Sequence, residues 1–346
     1  MEQDVVLFSE KNGVGTIELN RPKAINSISQ RMIELIYQQL KSWKNDSSIK
    51  FIIFSGNGPK GFCAGGDIKT LYQAKESESK YQQAIRFFQL EYKTDALIYH
   101  YPKPIIAILD GVTMGGGVGL TYGASHRIVT ERTKWAMPEM NIGFFPDVGA
   151  SYFFNQAPGK IGYYLALSAS VISGTDAIYA NAADHYITTD NLDTFIQEIM
   201  EKDWTTEKDI NHSIDNIVQK FTSSLGQSNL ENHRSAIDKY FSHSTLEQIF
   251  ASLESADSDF SNKTKQLLLT KSPISLKVTL EQLRRGKEKS LEDCFNMDLI
   301  LAKNFLKSND FYEGVRSIVI DKDKKPNYQY KKLDDVKSDL VDSYFN

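Results

Sequence analysis

Cysteine is scarce in this sequence. Its 346 residues hold two, Cys63 and Cys294, far apart and in no C-x-x-C pair. That count excludes a disulfide framework and a cysteine zinc site, and it makes a reducing, cytosol-like compartment the expectation. The six histidines are scattered with no H-x-x-x-H pair, so no catalytic metal is expected. An excess of positive charge is also lacking. A net charge of −4 gives no general attraction to nucleic acid or to an acidic membrane, so neither is an expected partner. Any anionic ligand must be met by a local basic patch. No apolar run reaches membrane-spanning length. The first residues, MEQDVVLFSEKNG, lack both the apolar core of a signal peptide and the arginine-rich helix of a transit peptide. The last, Ser343-Tyr344-Phe345-Asn346, are not a peroxisomal tripeptide. A cytoplasmic location is expected, with the mitochondrial matrix as the alternative where a transit peptide has been removed. Two motifs are missing as well. Gly115 to Gly119 completes no G-x-G-x-x-G, and no G-x-S-x-G elbow occurs, which removes a dinucleotide fold and the commonest serine hydrolase.

What is present is an ordinary globular composition, 41% hydrophobic and 24% charged, long enough for one large or two modest domains. Val5-Val6-Leu7-Phe8 and Val14-Gly15-Thr16-Ile17-Glu18-Leu19 flank Asn12-Gly13, a hairpin signal. A helical stripe, Ile33, Ile36, Leu40 and Trp43, follows over residues 30–44. Phe51-Ile52-Ile53-Phe54 and Ile105 to Leu109 are short apolar runs of buried-strand type, and 77–99 reads as a long helix. Each of those two strands leads into a glycine turn and then a helix, the second of them over Val118 to about Ser125. Strand and helix alternating in this way argue α/β architecture. His185-Tyr186-Ile187-Thr188 reads as a last short strand, and from 190 to 310 helical periodicity dominates. Ser272-Pro273 and Ser290-Leu291-Glu292-Asp293 mark helix starts. The expected division is therefore an α/β part over 1–190 and a helical region over 191–346.

The chemistry concentrates in two glycine turns and one loop. Glycine lets backbone approach a ligand, and two converging N–H groups can hold one oxyanion; Gly66 and Gly116 are the candidates. The competing reading is that these glycines serve only tight turns and close packing. Two carboxylates, Glu139 and Asp147, each follow a proline in a stretch that should be a shaped loop.

Phe62-Cys63-Ala64-Gly65-Gly66-Asp67-Ile68, with Asp110-Gly111 and Gly115-Gly116-Gly117, resembles the crotonase (enoyl-CoA hydratase/isomerase) superfamily. Further pieces resemble the 3-hydroxyisobutyryl-CoA hydrolases within it: Gly115 to Leu120, Ala136-Met137-Pro138-Glu139, Gly143 to Gly149, Ser272 to Lys277 and Asp310 to Arg316. The resemblance implies a crotonase-type spiral of ββα units with a helical C-terminal region. It implies an acyl-CoA thioester as substrate, with coenzyme A belonging to the substrate and no separate cofactor. It gives the thioester oxygen to the N–H groups of Gly66 and Gly116 and the catalysis to Glu139 and Asp147. Substrate contacts are implied for Glu91, Lys23, Ala24, Ala64, Asp67, Ile68 and Gly115. Members commonly form trimers or pairs of trimers, so a homo-oligomer is expected unless the C-terminal helices cover or replace that interface.

One departure selects among the family's reactions. Hydratases carry a first glutamate in the helix after the three glycines, and this chain has Gly119 there. Glycine moves no proton, so hydrolysis of 3-hydroxyisobutyryl-CoA to 3-hydroxyisobutyrate and coenzyme A is the expected reaction, a step of valine catabolism by resemblance. Two alternatives stand beside it: an enoyl-CoA hydratase or isomerase of the same fold, and a non-catalytic CoA-binding scaffold.

Overall fold

Asn12 and Gly13 both take left-handed backbone angles, φ 52° and 87°, and close the turn between β1 (Val6–Lys11) and β2 (Val14–Leu19). The computed structural model describes residues 4–346. Beyond the hairpin the chain runs through α1 (Gln30–Lys44), β3 (Phe51–Gly56), α2 (Ile68–Tyr72) and α3 (Glu78–Tyr99). It continues through β4 (Ile105–Leu109), β5 (Val112–Met114), α4 (Gly116–Tyr122), β6 (His126–Val129) and β7 (Lys134–Ala136). Then come α5 (Ala150–Gln156), α6 (Ile161–Ser168), α7 (Gly174–Tyr179) and β8 (His185–Tyr186). The rest is helical: α8 (Thr189–Glu201), α9 (Ile210–Phe221), α10 (Asn229–Phe241), α11 (Leu246–Ala256) and α12 (Asp259–Leu269). Last are α13 (Pro273–Gly286), α14 (Leu291–Phe305), α15 (Asn309–Val315) and α16 (Ser338–Ser343).

These elements gather into two compact units, each drawn from three stretches of chain. The first takes the chain up to Gly66, then Lys93–Trp135 and Ile172–Ser228. It holds a six-stranded sheet in the order β1-β2-β3-β4-β6-β8, antiparallel at the hairpin and parallel elsewhere. Parallel neighbours need crossovers, which α1, α4 and α7 help supply. Both ends of α1 match the stripe read from sequence, and Ser29 caps it by accepting from the Met32 N–H. The sheet is buried by Val14, Phe51, Ile106 and Ile128 packing with Phe195, Ile199, Ile214 and Val218 of α8 and α9. Trp204, fully buried, meets Phe51 edge-on at 4.7 Å. Full burial of such a side chain contributes about 1.5–3 kcal/mol, so this face is a main source of the unit's stability. Two helices beyond residue 190 thus cover the sheet, whereas those from Asn229 onward belong to the second unit.

The second unit takes Asp67–Tyr92, Ala136–Val171 and Asn229–Asn346. Its centre is α13, which packs on α5 and α6. Ser272 caps α13 and Pro273 occupies its first turn, as the sequence indicated. The Ser272 hydroxyl also donates to Asp310 at 2.6 Å, tying the start of α13 to α15. Ser290 caps α14 by accepting from the Asp293 N–H.

Candidate active site

In the first unit, the loop after β3 is stitched beside β5. The Cys63 N–H donates to the Val112 carbonyl and the Met114 N–H to the Cys63 carbonyl, both at 2.9 Å. Gly115 then turns the chain at φ 52°, ψ −123°, and α4 begins at Gly116, two residues earlier than its apolar pattern suggested. The N–H of a first helical residue has no acceptor within its own helix, which leaves that of Gly116 available. Gly117 presses on Cys63: a Cβ there would lie 2.7 Å from the Cys63 Cβ. Both are enclosed by backbone, so Gly117→Ala is expected to cost about 1–3 kcal/mol, read as a lowered thermal midpoint. An unchanged midpoint would show that the loop yields freely. Gly66 is half-buried and bridges to Ile28, whose N–H donates to Gly65 at 2.9 Å.

The basic loop lies in the same unit. Lys23 and Ala24 are exposed on a single 3-10 turn, Pro22–Ala24. Asn26, fully buried, anchors it: its amide donates to the carbonyls of Asn57 and Phe62 at 3.0 Å, and its oxygen accepts from the Arg21 N–H at 2.8 Å. The Ala64 N–H donates to the Ile25 carbonyl at 2.9 Å, so the basic loop and the first glycine turn are joined by backbone. The anchoring role of Asn26 escaped the sequence reading because the carbonyls its amide donates to lie more than 30 residues away.

The carboxylates belong to the second unit. The expected shaped loop opens as a 3-10 turn, Glu139–Ile142, which Gly143 ends at φ 65°. The Gly143 N–H and the Phe144 N–H both return to the Glu139 carbonyl, fixing that residue's backbone. A Cβ on Gly143 would sit 2.3 Å from the Asp310 carbonyl oxygen, so only glycine fits. Glu139 and Asp147 are 8% and 5% exposed. Asp147 Oδ2 accepts from the Tyr92 hydroxyl at 2.7 Å, whereas Glu139 Oε2 has no hydrogen-bond partner among the described residues. Aromatic rings wall the cluster. Phe144 stacks on Phe88 at 5.8 Å and lies 5.4 Å and 5.2 Å from Phe305 and Phe311, and Tyr92 stacks on Phe295 at 5.9 Å.

That setting fixes the electrostatics. Burial pushes the Glu139 carboxyl well above its ordinary 4.5, and the charge of Asp147 pushes it further. Burial raises Asp147 to about 7, against the pull of the Tyr92 hydroxyl. Tyr92 is driven well above 10, first by burial and then by the charges of Asp147, Asp298 and Glu91, so it stays a donor. With both carboxyls raised by burial, and Glu139 further by the charge of Asp147, the two keep at least one proton to higher pH than ordinary carboxyls do. The pair can therefore take up or release a proton, or attack a carbonyl.

The other expected residues fall as follows. Glu91 is 2% exposed on α3, so it is not a solvated helix residue. Asp67 precedes α2 and its carbonyl accepts from Thr70 and Leu71, while Ile68 opens that helix, half-buried. Glu139, Asp147, Glu91, Asp67 and Ile68 thus share the second unit, and Gly66, Gly115, Gly116, Lys23, Ala24 and Ala64 share the first. Trp135 is buried in the first unit with its backbone bridged to Ile172. Among the described residues no group of three or more His, Cys, Asp or Glu side chains could hold a metal ion, and no helix is long and apolar enough to cross a membrane.

Residues 14–345 match the family model described as enoyl-CoA hydratase/isomerase. Among curated relatives, the mitochondrial 3-hydroxyisobutyryl-CoA hydrolase of Rattus norvegicus is 39% identical over 343 residues, spanning 98% of this chain and 88% of that protein. The Homo sapiens protein of the same name is 36% identical over 341 residues, with the same coverage of both chains. Among solved structures, a carnitinyl-CoA dehydratase from Mycobacterium thermoresistibile superposes with a TM-score of 0.93 at 36% identity, covering 99% of this chain and 97% of that one. An enoyl-CoA hydratase from Rhodobacter sphaeroides 2.4.1 follows at 0.89 and 30%, with the same coverage.

Proposed function

The chain belongs to the enoyl-CoA hydratase/isomerase family, and from that membership we propose that it hydrolyses 3-hydroxyisobutyryl-CoA to 3-hydroxyisobutyrate and coenzyme A. The observation that carries this reading is where the carboxyls stand. Residue 119, where a hydratase of the family has its first glutamate by resemblance, is a buried glycine of α4. Glu139 and Asp147 are instead buried together, near enough that one charge shifts the other's titration. Adding water across a double bond by a two-carboxylate route needs a proton carrier at 119, and there is none. The names of the curated relatives support the same choice.

In this reading the N–H groups of Gly66 and Gly116 hold the thioester oxygen as negative charge develops on it, each worth roughly 3–4 kcal/mol of transition-state stabilisation. Glu139 acts as a base toward water or attacks the carbonyl itself, and both routes require it as a carboxylate. Asp147, oriented by Tyr92, handles a proton or the substrate's 3-hydroxyl. Lys23 meets a coenzyme A phosphate, with Ala24, Ala64, Asp67, Ile68 and Gly115 against the rest of the thioester and Glu91 toward its acyl end. No cofactor beyond the substrate's own coenzyme enters. The two buried, free cysteines suit a reducing compartment, cytoplasm or mitochondrial matrix.

The titles of the two solved structures favour a second reading, hydration or dehydration of an acyl-CoA. Product analysis separates the two. With 3-hydroxyisobutyryl-CoA, free thiol should appear; with a short 2-enoyl-CoA, the enoyl absorbance should persist. Loss of that absorbance without thiol would put hydration first. Inertness toward both, with coenzyme A still bound, would fit the scaffold.

A further inference from the structure

Asp147 sits in a backbone that would not hold itself. Val148, the next residue, has φ 51°, and Gly149 has φ 81°. A left-handed angle is uncommon for any side-chain-bearing residue and is an outlier for a β-branched one. Such a conformation persists only where its surroundings over-determine it.

Two buried polar side chains do so, one on each flank of the turn. The Gln282 amide on α13 donates to the Pro146 carbonyl at 2.8 Å and to Asp298 Oδ1 at 2.9 Å. Asp298 on α14 accepts from the Gly149 N–H at 2.8 Å through its other oxygen. Gln282 and Asp298 are 1% and 0% exposed. Both lie on the buried faces of their helices, where a polar group weakens packing unless it is hydrogen-bonded. Asp298 stands four residues after Cys294 and three before Leu301, a spacing that otherwise carries only apolar side chains toward the core.

We infer that Gln282 and Asp298 are positioning residues, a clamp that holds the strained Pro146–Gly149 turn so that Asp147 meets the Tyr92 hydroxyl. The inference rests on the hydrolase reading for its kinetic test and on geometry alone for its structural one. Without the clamp, Val148 relaxes to an ordinary negative φ and swings the Asp147 carboxyl off Tyr92. The loss should fall on turnover, because the clamp bonds go to the backbone of the turn and to each other. It should also be reversible at one position: a glycine at 148 takes the left-handed angle without strain.

The test uses the full chain with Gln282→Met, which keeps volume and removes both donors, and with Asp298→Leu, which keeps volume and removes both acceptors. Each is made alone and combined with Val148→Gly. The expected result is a kcat for thiol release lowered roughly tenfold or more, with KM within about twofold, recovered largely by Val148→Gly in the same background. In parallel, the Gly149 amide should exchange with solvent faster in both clamp variants than in wild type. Wild-type kcat in the single variants, or a loss that Val148→Gly does not recover in proteins melting like wild type, would overturn the clamp. If wild type itself releases no thiol, the hydrolase reading fails instead. The exchange rate of Gly149 then decides the clamp by itself: unaltered protection overturns it.

Discussion

Replacing Glu139 by glutamine is expected to lower kcat for thiol release from 3-hydroxyisobutyryl-CoA by roughly 10³-fold or more. Glutamine keeps the shape of the side chain and the 3-10 turn that carries it, so packing against the phenylalanine wall persists. What it removes is the only chemistry assigned to that position. An amide neither accepts a proton from water nor attacks a thioester carbonyl. Affinity for coenzyme A, measured by calorimetry, should stay near wild type, because recognition of the coenzyme is assigned elsewhere. A variant within about tenfold of wild-type kcat would remove Glu139 from the chemistry, since even one general base typically supplies more than that.

The second large effect is on stability. Asp147→Asn is expected to melt higher than wild type at neutral and alkaline pH and to lose that advantage on acidification. Moving a carboxyl from 3.8 to about 7 makes its ionisation in the fold costlier by about 4 kcal/mol. A group whose folded-state pKa is raised contributes stability fully present below its unfolded value, and that contribution is lost as pH rises through the folded one. For Asp147 the window therefore runs from 3.8 to about 7. Asparagine has no charge to bury and still accepts from Tyr92. The difference in thermal midpoint between variant and wild type should accordingly widen across that window and level off above it. A variant that melts lower at every pH would mean that Asp147 is ionised in the fold at no cost, against its burial. The carboxylate pair thus trades stability for reactivity, as strained or charged active sites commonly do.

How much of this was legible in sequence depended on the range of the interactions. The hairpin at Asn12-Gly13, the stripe of α1, the strand before the three glycines and the cap at Ser272 are set by neighbours a few residues apart, and they form where expected. One local signal fell short: α4 starts early because Gly115 turns the chain just before it. A distant group matters too, since α4 can run beside Cys63 only because residue 117 has no side chain. Glu139 and Asp147 could be marked because proline and glycine punctuate their loop. Their partners could not. Tyr92 lies 55 residues before Asp147, and nothing near it announces a carboxylate. Asp298 did leave a trace, a charged residue at apolar spacing on α14, but the pattern alone does not say what it holds, and Gln282 lies in line with Ser275 and Thr279 on α13 and does not stand out. The discontinuous assembly of both units is likewise beyond local reading, since it depends on stretches of chain meeting across more than 100 residues.

One measurement bears most directly on the central claim: free thiol released by wild type from 3-hydroxyisobutyryl-CoA, followed from about pH 5 to about pH 9 with a chromogenic thiol reagent. The predicted result is one thiol for each thioester consumed, with a rate that is low near pH 5 and climbs at higher pH, because burial raises both carboxyls of the pair above the ordinary carboxylate range. Consumption of the thioester without thiol, or a rate already at its plateau near pH 5, would contradict hydrolysis by that pair.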